Sequence, residues 1–280
     1  VSGQLAEGYT HVVDIDIQGY FDTIDQERLM SLLKEDVSDG ALLTVIERFL
    51  NAGVLEDGVW EMSEAGVPQG GVISPLLSNL YLNELDHLME AEGYAMTRYA
   101  DDMVILCRSA EEASQALERV KAWMEQARLK LHPEKTHTVD MREVGVSFDF
   151  LGYRFYRSKR RIVPLVRPKS LQKLRESIRQ KTRRCNAHSM QTIIERINPS
   201  LRGWSGYFKQ AYRGEHQKLD SWIRMRLRSI YRKRHRKRGR GRGSDHQRWP
   251  NRHFAELGLF SLVTAQREAI SLHKGVKIMH

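Results

Sequence analysis

Cysteine is scarce in this 280-residue chain, which holds only Cys107 and Cys185. Two thiols at that spacing make neither a zinc site nor a disulfide framework, so each reads as a buried thiol or an incidental surface one, and redox chemistry has no support. Long apolar runs are missing too. No stretch reaches the roughly 18 apolar residues of a membrane helix, and the opening residues lack the charged, apolar and small-residue pattern of a secretion signal. A cytoplasmic protein is expected. Internal repeats are also lacking. Charge is plentiful but uneven: the net charge is +10, yet residues 154–243 hold 29 Lys or Arg against four acids, a surplus of 25 that leaves the rest of the chain at −15. A basic part that grips phosphates beside an acidic part that presents carboxylates to metal ions suits a polynucleotide enzyme.

The pattern of apolar residues gives the organisation. "VVDIDI" at 12–17 alternates as a strand does. "QERLMSLLKE" and "ALLTVIERFLNAG" follow with helical spacing, and Gly40 and Gly53 read as their stops. A Gly/Pro turn leads into a helix from about Ser74, with Ser74 as its expected cap before Pro75. "MTRYADDMVILC" reads as a hairpin bending at its two aspartates, and Ala113, Leu117, Val120 and Met124 line one face of a further helix. Short strands fit "KTHTVD", "FDFLGYRFY" and "RIVPLV". From Pro168 the pattern turns helical, and "KRGRGRGSD" at 237–245 reads as a mobile or RNA-ordered loop. The expectation is an α+β domain followed by an all-helical one, with the boundary near residue 166.

The strongest chemical signal lies in the aspartates. Asp14 and Asp16 alternate onto one face of the first strand, and Asp101 and Asp102 occupy the hairpin bend. A local twist would turn Asp14 aside, so it is the weaker candidate. Carboxylates on rigid strand ends can hold two divalent ions about 4 Å apart, the arrangement that phosphoryl transfer to a hydroxyl exploits. The bland alternative is an acidic turn in solvent; the flanking "MVILC" argues against it by embedding the bend in a sheet.

These residues carry a family resemblance. "YADDMVILC" resembles the YxDD box of reverse transcriptases, and "DIDIQGYFDTID" their first palm motif as found in group II intron proteins. "GVPQGGVISPLLSNLYLNELD", "LHPEKTHTV" and "FDFLGYRF" are similar to later palm motifs, while "INPSLRGWSGYFK" and "WPNRHFAELGLFSLVTAQ" resemble the thumb and maturase domain of bacterial group II intron proteins. The resemblance implies a reverse transcriptase palm over 1–165, an antiparallel sheet with helices on one side, then a helical thumb and maturase-specific domain over 166–280. It implies an RNA-directed DNA polymerase that adds dNTPs to a primer 3′-hydroxyl and assists splicing, with intron RNA, an RNA template and a DNA primer as partners. Two Mg²⁺ ions are the implied cofactors, with Mn²⁺ able to substitute.

Carried over residue by residue, the resemblance makes Asp16, Asp101 and Asp102 the metal carboxylates, with the carbonyl of Ile17 completing the shell and Asp102 alternatively a structural support. Phe21 falls where the family places a ring under the sugar of the incoming nucleotide, excluding a 2′-hydroxyl; Tyr20, on the other face, is the better core residue. Pro68, Gln69, Gly70 and Gly71 would meet the nascent base pair, although a helix cap explains them as well. Lys135 matches a lysine beside the leaving pyrophosphate, acting as general acid or clamp, or else is a plain surface lysine. Phe150, Leu151, Gly152 and Tyr153 match the hairpin that holds the primer end, and their apolar character equally suits packing. Arg224, Arg226, Arg228, Arg232, Lys233, Arg234, Arg236, Lys237 and Arg238 are too dense to face one protein surface and are expected in solvent or on RNA phosphate. Trp204, Tyr207 and Phe208 read as packing residues first, with Gly203 and Gly206 marking a close helix contact. His235, among arginines, is a poor metal ligand.

The family's fingers segment is not found in the residues ahead of Asp16, which leaves a piece of a longer protein or a separate fingers-bearing chain as partner. Two rival readings remain open: an inactive RNA-binding maturase or fragment, and another prokaryotic reverse transcriptase of the retron or defence type. The paired aspartates oppose the first and the extended "INPSLRGWSGYFK" opposes the second.

Overall fold

The computed structural model describes residues 1–52, 54–56, 59–61, 66–68, 71–185, 187–237, 239, 241 and 243–276. They divide into two compact units, Val1–Leu151 with Arg157–Ile162, and Gly152–Tyr156 with Val163–His280.

The first unit runs α1 (Ser2–Ala6), β1 (His11–Ile15), α2 (Tyr20–Thr23), α3 (Gln26–Asp36), α4 (Gly40–Leu50), the hairpin β2 (Val54–Glu56) and β3 (Val59–Glu61), α5 (Ser74–Ala91), β4 (Ala95–Tyr99), β5 (Asp102–Cys107), α6 (Ala110–Gln126), β6 (His137–Asp140) and β7 (Ser147–Phe150). Side-chain oxygens start its helices: Asp25 accepts from the Arg28 N–H at 2.8 Å, Asp39 from those of Ala41 and Leu42 at 2.8 and 3.2 Å, and Ser109 from that of Glu112 at 3.1 Å. Each such cap contributes about 1 kcal/mol. Two expectations are corrected here. Gly40 begins a helix rather than stopping one, because Asp39 captures the next N–H groups; the preceding helix has already ended at Val37. Ser74 is not a cap: its buried hydroxyl donates to the Pro68 carbonyl at 2.7 Å and ties down the loop before α5. The other expected stop, Gly53, lies outside the described residues.

Strands β4, β5, β1 and β6 form one antiparallel sheet in that order. Ile15 pairs with Met103 and His11 with Cys107, so strand alternation sends Val13, Ile15, Met103, Ile105 and Cys107 to one face. There they join Leu29 and Leu33 of α3, Tyr81, Leu85 and Met89 of α5, and Ala116 and Val120 of α6 in a closed apolar core. Val12, Asp14, Val104 and Leu106 take the opposite face. Helices on one side of an antiparallel sheet are what the resemblance implied.

The second unit contains most of the hairpin β8 (Tyr153–Arg157) and β9 (Ile162–Val166), then α7 (Pro168–Lys181), α8 (Met190–Tyr207), α9 (Arg213–Arg234), α10 (Ser244–Arg248), α11 (Asn251–Glu256) and α12 (Leu262–Val276). Leu174, Ile178, Ile194, Ile197, Leu201, Leu219, Ile223, Leu227 and Phe254 form its core. Helix α8 runs through Pro199 without a break. A mid-helix proline costs about 3 kcal/mol, and Ile193, Ile197 and Leu201, spaced by four and fully buried, offset it. Buried polar groups fasten the last helices: Asp220 accepts from the Ser261 hydroxyl at 2.9 Å and the Leu262 N–H at 3.1 Å, and the Asn198 amide donates to the Gly258 carbonyl at 2.8 Å. Among the described residues, no helix is long and apolar enough to cross a membrane.

Candidate active site

The register β1 against β5 brings the end of β1, and Asp16 just beyond it, level with the start of β5 at Asp102. Tyr99 pairs with Asp102, so Ala100 and Asp101 form a two-residue bend in which Ala100 takes a left-handed φ of +55°. That conformation is costly for alanine, and Arg98 holds it. Its guanidinium donates to the Ala100 carbonyl at 3.0 Å, to Asn79 at 3.0 Å and to both oxygens of Asp86 on α5, one at 2.8 Å. A bidentate Arg–carboxylate pair is rigid as well as strong, so the bend is keyed to the helix beneath it.

The loop 130–136 clasps Asp16 through the main chain. Gln18 donates to the Lys130 carbonyl and His132 to the Asp16 carbonyl, each at 2.8 Å, and the Thr136 hydroxyl meets the Asp16 N–H and carbonyl, each at 3.3 Å. The clasp delivers Lys135, whose ammonium lies 3.2 and 3.4 Å from the two Asp16 carboxylate oxygens. Sequence reasoning named Lys135 and Asp16 separately; the structure brings them together.

The two adjacent aspartates diverge. The Asp102 carboxylate accepts from the Leu151 N–H at 3.4 Å and adds its field to that of Asp14. Asp101 lies toward Tyr20, whose phenol is held protonated mainly by burial; Arg98 opposes this, and Asp101 and Asp86 reinforce it. Asp14, the weaker candidate, is part of the cluster. Its carboxyl is raised to about 6, by burial first and by the charges of Asp102, Asp16 and Asp149, against a downward pull from His137. Its signal in the sequence was the two-residue alternation with Asp16. Arg98 and Thr136 had no such signal, because Asp86 and Asn79, which fix the Arg98 guanidinium, and Asp16, which Thr136 meets, belong to other elements of the chain.

Tyr20 is buried, its hydroxyl donating to the Ser78 carbonyl, as the core reading expected. Phe21 is half-buried, 5.5 Å from the Tyr20 ring, and its carbonyl accepts from the Val67 N–H at 2.7 Å. Gly66, at φ +83°, lies so close that a Cβ would come within 2.6 Å of the Phe21 oxygen, so the loop leading to Pro68 is seated directly on α2. Gln69 and Gly70 lie outside the described residues, as does Arg238. The side chain of Ile17 is in the core, which leaves only its main chain for any ligand role. Phe150 is buried, and Leu151 and Gly152 turn with φ +48° and +77°. Tyr153, in the second unit, donates to the Tyr207 carbonyl at 2.7 Å and packs its ring 5.1 Å from that of Phe208.

Asp16, Asp101 and Asp102 are hard oxygen donors, and the repulsion recorded at Asp14 marks a field that draws a cation, so the donor chemistry fits Mg²⁺. As they stand, the side chains do not converge: among the described residues no three His, Cys, Asp or Glu are placed to hold a metal ion.

The basic helix α9 departs from expectation. Arg228 is 2% exposed, and donates to the Trp249 carbonyl at 2.9 Å and to Asn251 at 2.8 Å. Arg232 pairs with buried Asp245 at 2.5 Å, Arg226 donates to Thr182 at 2.7 Å, and Arg224 lies 3.8 Å from Asp220. The prediction that all these cations face solvent or phosphate is therefore corrected: a guanidinium can satisfy its donors on buried carbonyls and carboxylates inside a helical unit. Lys233, Arg234, Arg236 and Lys237 are exposed. Trp204 and Phe208 pack at 5.0 Å, but Gly203 and Gly206 face open space, so no close helix contact explains those glycines. Tyr207 is exposed.

Comparison with known proteins places this geometry. The family described as reverse transcriptase (RNA-dependent DNA polymerase) matches residues 3–155, and the group II intron maturase-specific domain matches residues 171–249. Protein YkfC of Escherichia coli (strain K12) is 29% identical over 185 residues, covering 54% of this chain and 48% of that protein. The group II intron-encoded protein LtrA of Lactococcus lactis subsp. cremoris is 45% identical over 74 residues, covering 26% of this chain and 12% of LtrA. The chain thus spans about half the length of YkfC and a small part of LtrA. A telomerase structure from Candida albicans aligns with a TM-score of 0.48 at 12% identity, over 82% of this chain and 46% of that one, a level that adds nothing to the assignment. Carboxylates at the paired ends of β1 and β5, in an antiparallel sheet backed by helices and followed by the maturase-specific region, agree with these matches: the chain belongs to the reverse transcriptase (RNA-dependent DNA polymerase) family, in its group II intron-encoded branch.

Proposed function

We propose that this chain supplies the catalytic centre of an RNA-directed DNA polymerase and assists the folding and splicing of a group II intron RNA. The observation that carries the reading is the Asp16 carboxylate at the end of β1, level with Asp102 and met by the Lys135 ammonium at 3.2 Å. Asp16, Asp101 and Asp102, with the Ile17 carbonyl, would hold two Mg²⁺ ions, whose chemistry is to acidify the primer 3′-hydroxyl and neutralise the triphosphate. The chain's own residues position and neutralise; none is a nucleophile, since the primer hydroxyl attacks the α-phosphate. Lys135, held beside Asp16, would stabilise or protonate the leaving pyrophosphate. The half-buried Phe21 ring, whose main chain is held by the Val67 N–H, would crowd a 2′-hydroxyl and favour dNTPs. Lys233, Arg236 and Lys237 would meet RNA phosphate, while Arg224, Arg228 and Arg232 act inside the unit.

The test is Mg²⁺-dependent dNTP incorporation on an RNA template annealed to a DNA primer, comparing the chain with Asp101→Ala, alone and with a supplied fingers segment. Extension that vanishes with the substitution supports the polymerase reading. No extension in either mixture, together with tight binding of structured RNA, replaces it with an RNA-binding maturase.

A further inference from the structure

The second unit carries a concave surface that the basic helix does not line. It lies at the end of α7 and across α8, encloses about 460 Å³, and is lined by Gln180, Lys181, Arg183, Cys185, His188 and Arg196, with Ala187 completing its wall. No acid is among these residues. Arg183 and Arg196 are exposed, and neither has an acidic partner among the described residues. Two guanidinium groups facing one concavity without a carboxylate repel each other, and an anion relieves that repulsion.

The arginines of α9 explain how the concavity is built. Arg226 donates to the Thr182 hydroxyl at 2.7 Å and to the carbonyls of Thr182 and Arg179 at 3.0 and 3.4 Å, which closes the end of α7. It also stacks on Trp222, 5.4 Å from the ring centre. Arg234 donates to the His188 carbonyl and so holds the opposite wall. Cations that looked like the phosphate contacts thus serve as scaffold, and the cations they position, Arg183 and Arg196, are left for a ligand. The lining contains no Phe, Tyr or Trp, so there is no platform for a base. What fits is a phosphodiester, read by charge alone.

We propose that this cleft is a sequence-independent seat for the backbone phosphates of an RNA strand, with Arg183 and Arg196 as the principal contacts and Lys181 and His188 at its walls. The proposal deepens the RNA-binding reading above and rests on it, extending the grip from the exposed end of α9 to the α7–α8 connection.

The experiment uses the full chain and a fluorescein-labelled RNA hairpin of arbitrary sequence, titrated by anisotropy over a series of KCl concentrations. Arg183→Gln with Arg196→Gln is expected to weaken binding about tenfold and to lower the slope of log K against log salt by about 1 to 2, one unit or less for each phosphate no longer neutralised. Arg252→Gln with Arg267→Gln, an equal charge change at exposed positions of the same unit, is expected to change both far less. Equal effects of the two pairs, or none from the cleft pair, overturn the cleft while leaving RNA binding in place. Failure of the unaltered chain to bind the hairpin overturns the RNA reading itself, and the cleft with it. A second measurement needs no substitution. Cys185 is exposed on the cleft and Cys107 is buried, so alkylation by N-ethylmaleimide reports on the cleft alone. Saturating RNA is expected to slow the Cys185 reaction at least fivefold; an unchanged rate refutes the proposal.

Discussion

Asp14→Asn offers a quantitative test of the carboxylate cluster. In the fold, burial and the charges of Asp102, Asp16 and Asp149 raise the Asp14 carboxyl from 3.8 to about 6. The folded chain therefore holds its proton over a pH range in which the unfolded chain has lost it, and stability falls as pH rises from about 4 to about 6. A shift of that size corresponds to about 3 kcal/mol, and solvent screening at a half-buried group lowers the expected cost to about 2 kcal/mol. Asparagine keeps the shape and cannot ionise. The stability gained by Asp14→Asn should then be near zero at pH 4 and about 2 kcal/mol at pH 7.5. Urea unfolding followed by circular dichroism, with EDTA present so that no divalent cation screens the cluster, measures it at both values. The difference between variant and parent removes the pH dependence common to both. A difference that does not change with pH refutes the electrostatic account of this site.

Other outcomes follow from the same geometry. Arg98→Gln removes the bidentate grip on Asp86 and the donor to the Ala100 carbonyl, and primer extension should fall about tenfold or more with RNA affinity unchanged. Phe21→Val should raise ribonucleotide use relative to dNTP use by about tenfold, read by competition in the extension assay. Arg228→Gln should destabilise the second unit by about 2 kcal/mol, since the Trp249 carbonyl and Asn251 lose their donor in a buried setting, whereas Arg236→Gln should leave thermal unfolding unchanged. Burial lowers the His216 imidazole below its ordinary value, so the stability it permits is present above pH 6.5 and declines as the medium is acidified below it. His216→Gln should flatten that acid-side decline in a pH series of melting temperatures.

Much of the site was legible because it is local. A two-residue alternation places Asp14 and Asp16 on one face whatever the rest of the fold does, and apolar runs around "ADD" force a hairpin, but its two-residue bend is Ala100–Asp101 rather than the aspartate pair, and Asp102 already opens β5. Capping was only partly legible: Asp39 beside Gly40 looked like a stop because glycine is ambiguous between the two ends of a helix, and Ser74 looked like a cap until its hydroxyl was found on the Pro68 carbonyl. Pro199 hid the continuity of α8, since no local rule shows the burial of Ile193, Ile197 and Leu201 that carries the helix across it.

The sequence by itself determined the α+β order, the carboxylate pairs, the family and the separation of acidic from basic halves, because periodicity, turn chemistry and composition act between near neighbours. The tertiary structure decided which charges are free. Arg98 is committed to Asp86 and Ala100, Lys135 reaches Asp16 across 119 positions, and Arg226, Arg228 and Arg232 turn inward while Arg183 and Arg196 stay open. A guanidinium or an ammonium acts on whatever lies within about 3 Å of it, and that partner is set by how distant segments pack.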